Sequence, residues 1–156
     1  MKRLAVALVV LTAALWYLRD PVWLGNESSG LRPWQQDASG LKYRWSGAHA
    51  SFFVPADATA IHIPVSTTFA DDRRPMLVTA TVDDGPPTRI VLRDEGWYSL
   101  AVPLPPRGSR RVRRIDLRTN LTRADNHGVK VGEVEVIRVP VAAGLLERSG
   151  GGAHSS

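Results

Sequence analysis

The stretch that decides the fold class is residues 76–103, MLVTATVDDGPPTRIVLRDEGWYSLAVP. Apolar and polar residues alternate in three successive segments of it, which is the period of strands with one buried face. The segments are 78–82, 89–93 and 98–102. Asp83-Asp84-Gly85 and Asp94-Glu95-Gly96 separate them with residues that favour turns. We therefore predict an antiparallel meander of three strands.

The alternation continues on both sides of this stretch. Before it, the pattern predicts two strands separated by a turn at Ser46-Gly47, and a third strand over 61–65. After it, strands are expected around 115–117 and over 129–139. Short strands separated by Gly, Pro and Asp turns are typical of β-sandwiches. We predict an all-β fold, an antiparallel two-sheet β-sandwich of jelly-roll type with about eight strands and one N-terminal hydrophobic helix.

Two of these strands contain local irregularities. Pro64 has no backbone N–H, so its strand is expected at a sheet edge or at a β-bulge. In the last strand, the apolar valines change parity between residues 131 and 134. One extra residue would keep all of them on the same face, and we therefore predict a β-bulge near Gly132-Glu133.

The N-terminus has the layout of an export signal. Lys2 and Arg3 precede an apolar run over residues 4–18, which is shorter than the roughly 20 residues needed to span a bilayer. A cleaved signal peptide and an uncleaved membrane anchor both remain open, and either predicts an extracytoplasmic location. The expected organisation is a signal or anchor over 1–24, a linker over 25–31, the sandwich over 32–140 and a disordered tail over 141–156.

The composition argues against several classes of function. Cysteine is absent, and the four histidines lack the spacing of metal ligands, so no metal site is expected. The three acidic pairs, 71–72, 83–84 and 94–95, stand at turns, although one such loop could hold a structural calcium ion. No nucleophile elbow or glycine-rich phosphate loop is present. We predict a protein that is not an enzyme and needs no cofactor.

The segment 107–123 contains seven arginines and a single acidic residue. It lacks aromatic residues that could stack on bases, and nucleic acid is therefore not an expected partner. A solvated sheet face is the simplest interpretation, and contact with lipid phosphates or an acidic glycan is the alternative. The predicted basic face consists of Arg110, Arg111, Arg113, Arg114 and Arg118.

Three tryptophans are candidates for a ligand platform. A flat indole can pack against the C–H face of a sugar while neighbouring polar groups bond its hydroxyls. Trp34 lies in a loop-like region, whereas Trp45 and Trp97 stand at strand ends. Packing in the core is the competing interpretation for all three side chains.

Two segments together carry a family resemblance. They are GLRPWQQDASGLKYRWSG at 30–47 and RIDLRTNLTRADNHGVKVGEV at 114–134. The pair resembles small bacterial exported proteins and periplasmic β-sandwich domains attached to envelope glycan-assembly membrane proteins, which look like galactose-binding-like, carbohydrate-binding jelly rolls. The resemblance implies that Asp37 acts with Arg44 and Trp45. Residues 125–129 correspond to a longer family turn, and His127 stands where an arginine is expected.

The leading hypothesis is a non-catalytic carbohydrate-binding-like module, membrane-associated and accessory to envelope glycan assembly. An aromatic platform would bind the glycan together with polar groups from two loops. The candidate residues are Trp34, Asp37, Arg44, Trp45, Asp125, Asn126 and His127. The alternative is a protein-interaction domain that docks an envelope membrane protein through the basic face. A glycan site requires solvent-facing tryptophan, whereas a docking domain requires a contiguous basic or apolar patch.

Overall fold

The protein is represented by a computed structural model that describes residues 2–19, 21–106 and 108–138. Helix α1 spans Lys2–Arg19 and a short 3₁₀ helix spans Val22–Asn26. Ten strands follow among the described residues: β1 Ser28–Leu31, β2 Gln35–Gln36, β3 Lys42–Pro55, β4 Ala60–Ser66, β5 Met76–Val82, β6 Thr88–Leu92, β7 Tyr98–Pro103, β8 Val112–Thr119, β9 Lys130–Gly132 and β10 Glu135–Ile137. The predicted all-β sandwich with an N-terminal helix is confirmed. The strand count exceeds the prediction because β1 and β2 are short and lack an alternating pattern.

The strands form two antiparallel sheets that face each other. Sheet A has the order β1-β3-β8-β5-β6. Sheet B has the order β2-β3-β9-β4-β7, with β10 continuing along the side of β4 that β9 occupies. Strand β3 belongs to both sheets and joins them at a corner.

The core lies between the two sheets and consists of their inward alternating residues. Strand β4 contributes Ile61, Ile63 and Val65, all inaccessible to solvent. Ile115 and Leu117 of β8 are buried opposite them. The period of two found in the sequence thus marks the core side of each of these strands.

The turn predicted at Ser46-Gly47 is wrong. Strand β3 runs without interruption through these residues, pairing with β9 over Tyr43–Trp45 and with β8 over His49–Pro55. The polar dipeptide marks the corner where the strand leaves sheet B and enters sheet A. A long strand that bends between two sheets contains the same local signal as two strands joined by a turn.

The predicted meander over 76–103 is correct for two strands and wrong for the third. Strands β5 and β6 pair as a hairpin, with Met76 opposite Leu92. Strand β7 crosses to sheet B and pairs with β4 along Tyr98–Pro103. Alternation in sequence predicts which residues face the core, but it does not specify the neighbouring strand.

The predicted β-bulge is confirmed. Val131 lies opposite Val65, and Glu135 lies opposite His62, so that Ile63 and Pro64 face three residues, 132–134. Pro64 is not at a sheet edge, because β7 flanks β4 on the other side. The bulge lies opposite Pro64, which has no N–H to donate to the hydrogen-bond ladder between the strands.

The segment 25–31, predicted as a linker, contains strand β1 of sheet A. Gly30 adopts a positive φ of 68° because the register against β3 shifts between Ser29 and Leu31. The predicted disordered tail, 141–156, and the last two residues of the predicted sandwich lie outside the described residues. In the part of the chain that the structure describes, no helix is long and apolar enough to cross a bilayer.

Replacing Gly30 with alanine should destabilise the fold. A Cβ at this position would lie 2.1 Å from the carbonyl oxygen of His49, in a backbone conformation that L-residues rarely adopt. Strain of this kind costs about 1–3 kcal/mol before the clash is added. Gly108→Ala is the matched control, since a Cβ there has no atom within 4 Å. Urea denaturation would measure both variants, and equal free energies of unfolding would contradict the prediction.

Candidate ligand-binding site

Four aromatic rings form a row on the outer face of sheet B, the face turned away from the core. Tyr43 and Trp45 alternate along β3 and lie opposite Gly132 and Lys130 of β9. The residue between these two on β9, Val131, is buried in the core, and the rings therefore lie on the opposite face. Trp97, just before β7, and His127, in the loop before β9, extend the row at its two ends.

Edge-to-face contacts hold the row together. Tyr43 lies 6.4 Å from Trp97 and 6.2 Å from Trp45 between ring centroids, and Trp45 lies 5.0 Å from His127. The Lys130 ammonium stands over the rings of Tyr43 and Trp45, at 5.0 and 5.4 Å from their centroids. Each contact restricts the rotamers of its neighbours, and we refer to Trp97, Tyr43, Trp45 and His127 as the aromatic row.

The Trp45 side chain packs inside the aromatic row and offers no open face to a ligand. It is 9% exposed, because Tyr43, Lys130 and His127 cover it. Trp97 is 36% exposed at the free end of the row. The indole that offers a face to solvent in the row is therefore Trp97.

A recess of about 420 Å³ lies beside Trp97. Its lining residues are Gly40, Leu41, Lys42, Pro64, Trp97, Gly132 and Glu133. The missing side chain of Gly132 makes room for the recess, since a Cβ there would lie 3.0 Å from Pro64 and 3.6 Å from Trp97. Most of the lining is apolar, and Lys42 and Glu133 are the charged residues in it.

Asp37 shapes the loop that forms one side of this recess. Its Oδ1 accepts hydrogen bonds from the Ser39 amide at 2.9 Å, the Ser39 hydroxyl at 2.6 Å and the Leu41 amide at 2.9 Å. The hydrogen bond from the Ser39 hydroxyl is the main cause that lowers the pKa of Asp37. Asp37 positions Gly40 and Leu41, which line the recess.

The turn 125–127 closes over the buried end of the row. His127 Nδ1 lies 2.6 Å from Asp125 Oδ2, and this contact is the main cause that lowers the pKa of Asp125. Asn126 adopts a positive φ of 59°, which this residue type tolerates. Arg32 donates from Nη2 to the carbonyl oxygen of Asp125 at 2.9 Å. The turn orients the His127 ring against Trp45.

Trp34 and Arg44 lie together, but away from the aromatic row. The Arg44 guanidinium stands 4.5 Å above the Trp34 ring. Arg44 is opposite Val131 on β9, so its side chain is on the core side of sheet B, the reverse of the side that carries Trp45. The seven residues predicted for one site are therefore divided between two places.

The sequence analysis did not predict the roles of Tyr43, Lys130 and Gly132. Tyr43 and Trp45 are two residues apart on a predicted strand, which places both rings on one face, and this signal was available. The pairing of β3 with β9 brings Lys130 and Gly132 beside them. That pairing cannot be read from local alternation.

The predicted basic face requires one correction, at Arg113. This residue has the same parity on β8 as Ile115 and Leu117 and is 9% exposed. It donates from Nη1 to Asp83 at 2.9 Å, and from Nη2 to the carbonyl oxygens of Pro105 and Pro106. Arg113 therefore ties the β5–β6 turn and the 105–106 segment to the end of the core.

The remaining arginines of the predicted basic face lie at the surface, and one of them is paired with carboxylates. Arg114 is paired with Asp116 at 2.8 Å and with Asp84 at 2.6 Å, and the hydrogen bond to Asp116 is the main cause that raises its pKa. Arg118 is exposed on the same side of β8, and Arg110 and Arg111 are exposed in the preceding loop.

The three acidic pairs stand at turns as predicted, where Asp71 and Asp94 accept backbone N–H bonds. Among the described residues, no cluster of three or more His, Asp or Glu side chains could hold a metal ion.

Acidification should loosen the Asp37 loop at a pH below the ordinary value of 3.8. Because folding lowers the pKa of Asp37, its contribution to loop order is present above that value and is lost as the pH falls through the folded pKa. The amide resonances of Ser39 and Leu41 in a nuclear magnetic resonance titration from about pH 6 to about pH 2 would report the change. The Asp37→Asn variant should show the loosened loop across the whole pH range. A titration midpoint above the ordinary carboxyl pKa of 3.8 would contradict the prediction.

Removing Arg113 should destabilise the fold far more than removing Arg118. Breaking a buried pair costs about 3–5 kcal/mol, and we expect the lower end for Arg113→Ala because Asp83 is partly exposed. Arg118→Ala removes an exposed side chain of the same strand and should change the free energy of unfolding by less than about 0.5 kcal/mol. Thermal or urea unfolding would compare them. Similar effects for both variants would mean that Arg113 is not a structural ion pair.

No protein-family model and no curated protein matches this chain. Similar solved structures include a family two carbohydrate esterase from Cellvibrio japonicus, with 12% identity, coverage of 73% of this chain and 33% of that chain, and a TM-score of 0.45. A family 6 carbohydrate-binding module has 12% identity, coverage of 73% and 88%, and a TM-score of 0.45. The GH26-CBM35 β-(1,4)-mannanase of Podospora anserina has 13% identity, coverage of 73% and 27%, and a TM-score of 0.48.

Carbohydrate-binding modules are thus among the structures that this chain is similar to, in line with the resemblance seen in its sequence. The chain spans 33% of the length of the esterase and 27% of the length of the mannanase. Likeness at these identities and TM-scores carries no conclusion about ligand or activity.

Proposed function

We propose that this protein is a non-catalytic, extracytoplasmic carbohydrate-binding module that takes a sugar ring in the recess beside Trp97. The observation that carries the proposal is the half-exposed indole of Trp97 at the free end of the aromatic row. It stands beside a recess of about 420 Å³ whose lining is mostly apolar and includes two charged residues.

A sugar ring presents two kinds of surface, and the recess offers a complementary surface for each. One face of a pyranose is a plate of C–H groups, which packs well on an indole and on apolar side chains. Trp97 and Leu41 supply such surface, and Leu41 is 40% exposed. The hydroxyls around the ring need hydrogen-bond partners, which Lys42 and Glu133 provide as donor and acceptor.

The aromatic row supports Trp97 before any ligand arrives. Tyr43 contacts one side of the indole, and the Pro64–Gly132 surface lies beneath it. A side chain that is already restricted loses little conformational freedom when a ligand binds. The rigid indole can therefore stack on a sugar ring at a lower entropic cost than a flexible side chain would pay.

The proposal excludes hydrolysis of the bound sugar. Most glycosidases place two carboxylates on either side of the bond that is cleaved. Glu133 is the one carboxylate residue that lines this recess among the described residues. A single carboxylate in the lining suits a hydrogen-bond acceptor for hydroxyls.

The proposal includes an extracytoplasmic location and a role in envelope glycan assembly, and the N-terminal segment supports the location. Helix α1 comprises the basic and apolar residues that predict an export signal or an anchor. As part of the proposal, this segment directs the sandwich to the extracytoplasmic side of a membrane. There, a module without catalysis would hold a glycan near the proteins that assemble it.

The alternative, docking of a membrane protein through the basic face, has less support. Arg113 is buried in that face, and two carboxylates neutralise Arg114. The solvent-facing tryptophans that the glycan hypothesis requires are present, since Trp34 and Trp97 are 48% and 36% exposed. The exposure criterion therefore favours the glycan hypothesis.

Trp97→Ala should weaken binding of a cognate oligosaccharide by roughly tenfold to a hundredfold, the equivalent of about 1.5–3 kcal/mol for a buried aromatic contact. Calorimetric titration of the full chain in detergent with a panel of neutral and acidic bacterial oligosaccharides would measure it. Trp23→Ala, at a 54% exposed indole outside the recess, and Val91→Ala, at a 44% exposed side chain of sheet A, are the controls.

Both controls should bind as the unaltered protein does, and all variants should unfold at similar temperatures. Oligosaccharide binding that Trp97→Ala leaves unchanged would place the site elsewhere. An absence of binding across the whole panel would overturn the proposed function.

A further inference from the structure

Arg44 is a partly buried cation that has no counter-ion among the described residues. It lies on the core side of sheet B near the open edge of the sandwich. Burial lowers its pKa, since desolvation disfavours the charged form. No carboxylate among the described residues lies within 4.0 Å of its guanidinium. Burying a charged group costs free energy unless a group of opposite charge or a hydrogen-bond partner accompanies it.

The hydrogen bonds of Arg44 are also incomplete. Its Nη1 donates to the Ser28 hydroxyl at 3.2 Å. Its Nε is buried and has no hydrogen-bond partner among the described residues. Guanidinium groups bind planar carboxylates through two parallel N–H donors, and Nε is one donor of the side-on arrangement. The side-on arrangement is closed here because Nε is inaccessible, and an anion would instead meet the guanidinium at its two Nη groups.

The guanidinium lies in a cleft that a small ligand could enter. The cleft has a volume of about 220 Å³, between the edge of sheet A and the bulged end of sheet B. One wall of the cleft is apolar and includes Phe53 and Val134. The other wall is polar and includes Asn26 and Ser28. Trp34, 48% exposed, stacks on Arg44 and forms the outer wall. This volume is below the range of about 300–1,000 Å³ usual for drug-sized ligands, and it suits a single sugar ring better than an extended chain.

The charges around the cleft favour an anion with a single charge. Arg44 is its one cationic side chain among the described residues, and Glu27 lines the same cleft. Phosphate groups are commonly recognised by clusters of arginines, which this cleft does not have. Glu27 would repel a doubly charged phosphate more strongly than a carboxylate.

We propose that Arg44 and Trp34 form a second binding site, for the carboxylate of a hexuronate residue. The carboxylate pairs with the Nη edge of the Arg44 guanidinium, and the sugar ring lies in the cleft beside Trp34 and the apolar wall. The site does not depend on the Trp97 recess, because the two side chains that carry it lie on the opposite side of sheet B. Binding at both places would select glycans that contain acidic sugars.

The first test is titration of the full chain in detergent with D-glucuronate and D-galacturonate, and with D-glucose and D-galactose as neutral counterparts. The uronates should bind at least tenfold more tightly than the neutral sugars. Arg44→Lys keeps the charge but loses the planar pair of donors, and it should weaken uronate binding at least tenfold. Arg118→Lys, at an exposed arginine of sheet A, should leave binding unchanged.

Three further variants separate the contributions of the cleft from those of the Trp97 recess. Glu27→Gln removes the competing carboxylate and should tighten uronate binding. Trp97→Ala alters the other site and should leave uronate binding intact, so failure of the proposed function and failure of this inference give different results. Trp34→Ala should weaken binding, and circular dichroism melting would check that each variant is folded.

Three results would overturn the inference. Equal binding of uronates and neutral sugars would remove the role of the carboxylate, and an Arg44→Lys variant that binds normally would remove the role of the guanidinium. Acetate or inorganic phosphate that binds as tightly as the uronates would identify a simple anion site without a sugar subsite.

Discussion

The structure depends on the corner at which β3 passes from one sheet to the other. Ser46, 1% exposed, holds this corner with three hydrogen bonds to the loop that enters β9. Its amide donates to Val129 at 2.8 Å, its carbonyl accepts from Gly128 at 2.7 Å, and its hydroxyl accepts from Val129 at 3.0 Å. Without this anchor, β3 could not pair with both β8 and β9, and the two sheets would lose the strand they share.

The passage of β3 through sheet B also explains why neighbouring residues serve different surfaces. Consecutive side chains on a strand point to opposite faces. Trp45 therefore contacts Lys130 and His127 on the outer face, while Arg44 lies on the core side against Trp34. The bulge at 132–134 separates the same two environments further along the sheet, because Gly132 opens the recess on one side and Val134 lines the cleft on the other.

Most of the core could be predicted from the sequence, because alternation reports burial directly. The parity change after Val131 even revealed the bulge opposite Pro64. Strand partners could not be predicted, since β7 has the same pattern whether it pairs with β6 or crosses to β4. The candidate site was only partly predictable for the same reason. The parity of Arg113 with Ile115 and Leu117 was visible in the sequence, whereas only the tertiary pairing of the strands decides that Trp45 is covered and that Trp97 is open.

The exposure of helix α1 has a consequence for the chain as a whole. Every described side chain of the helix is exposed, and the core consists of strand residues that begin after it. No residue of α1 is among the described residues that line the recess or the cleft, so a chain that keeps the helix and one that has lost it would present the same two cavities.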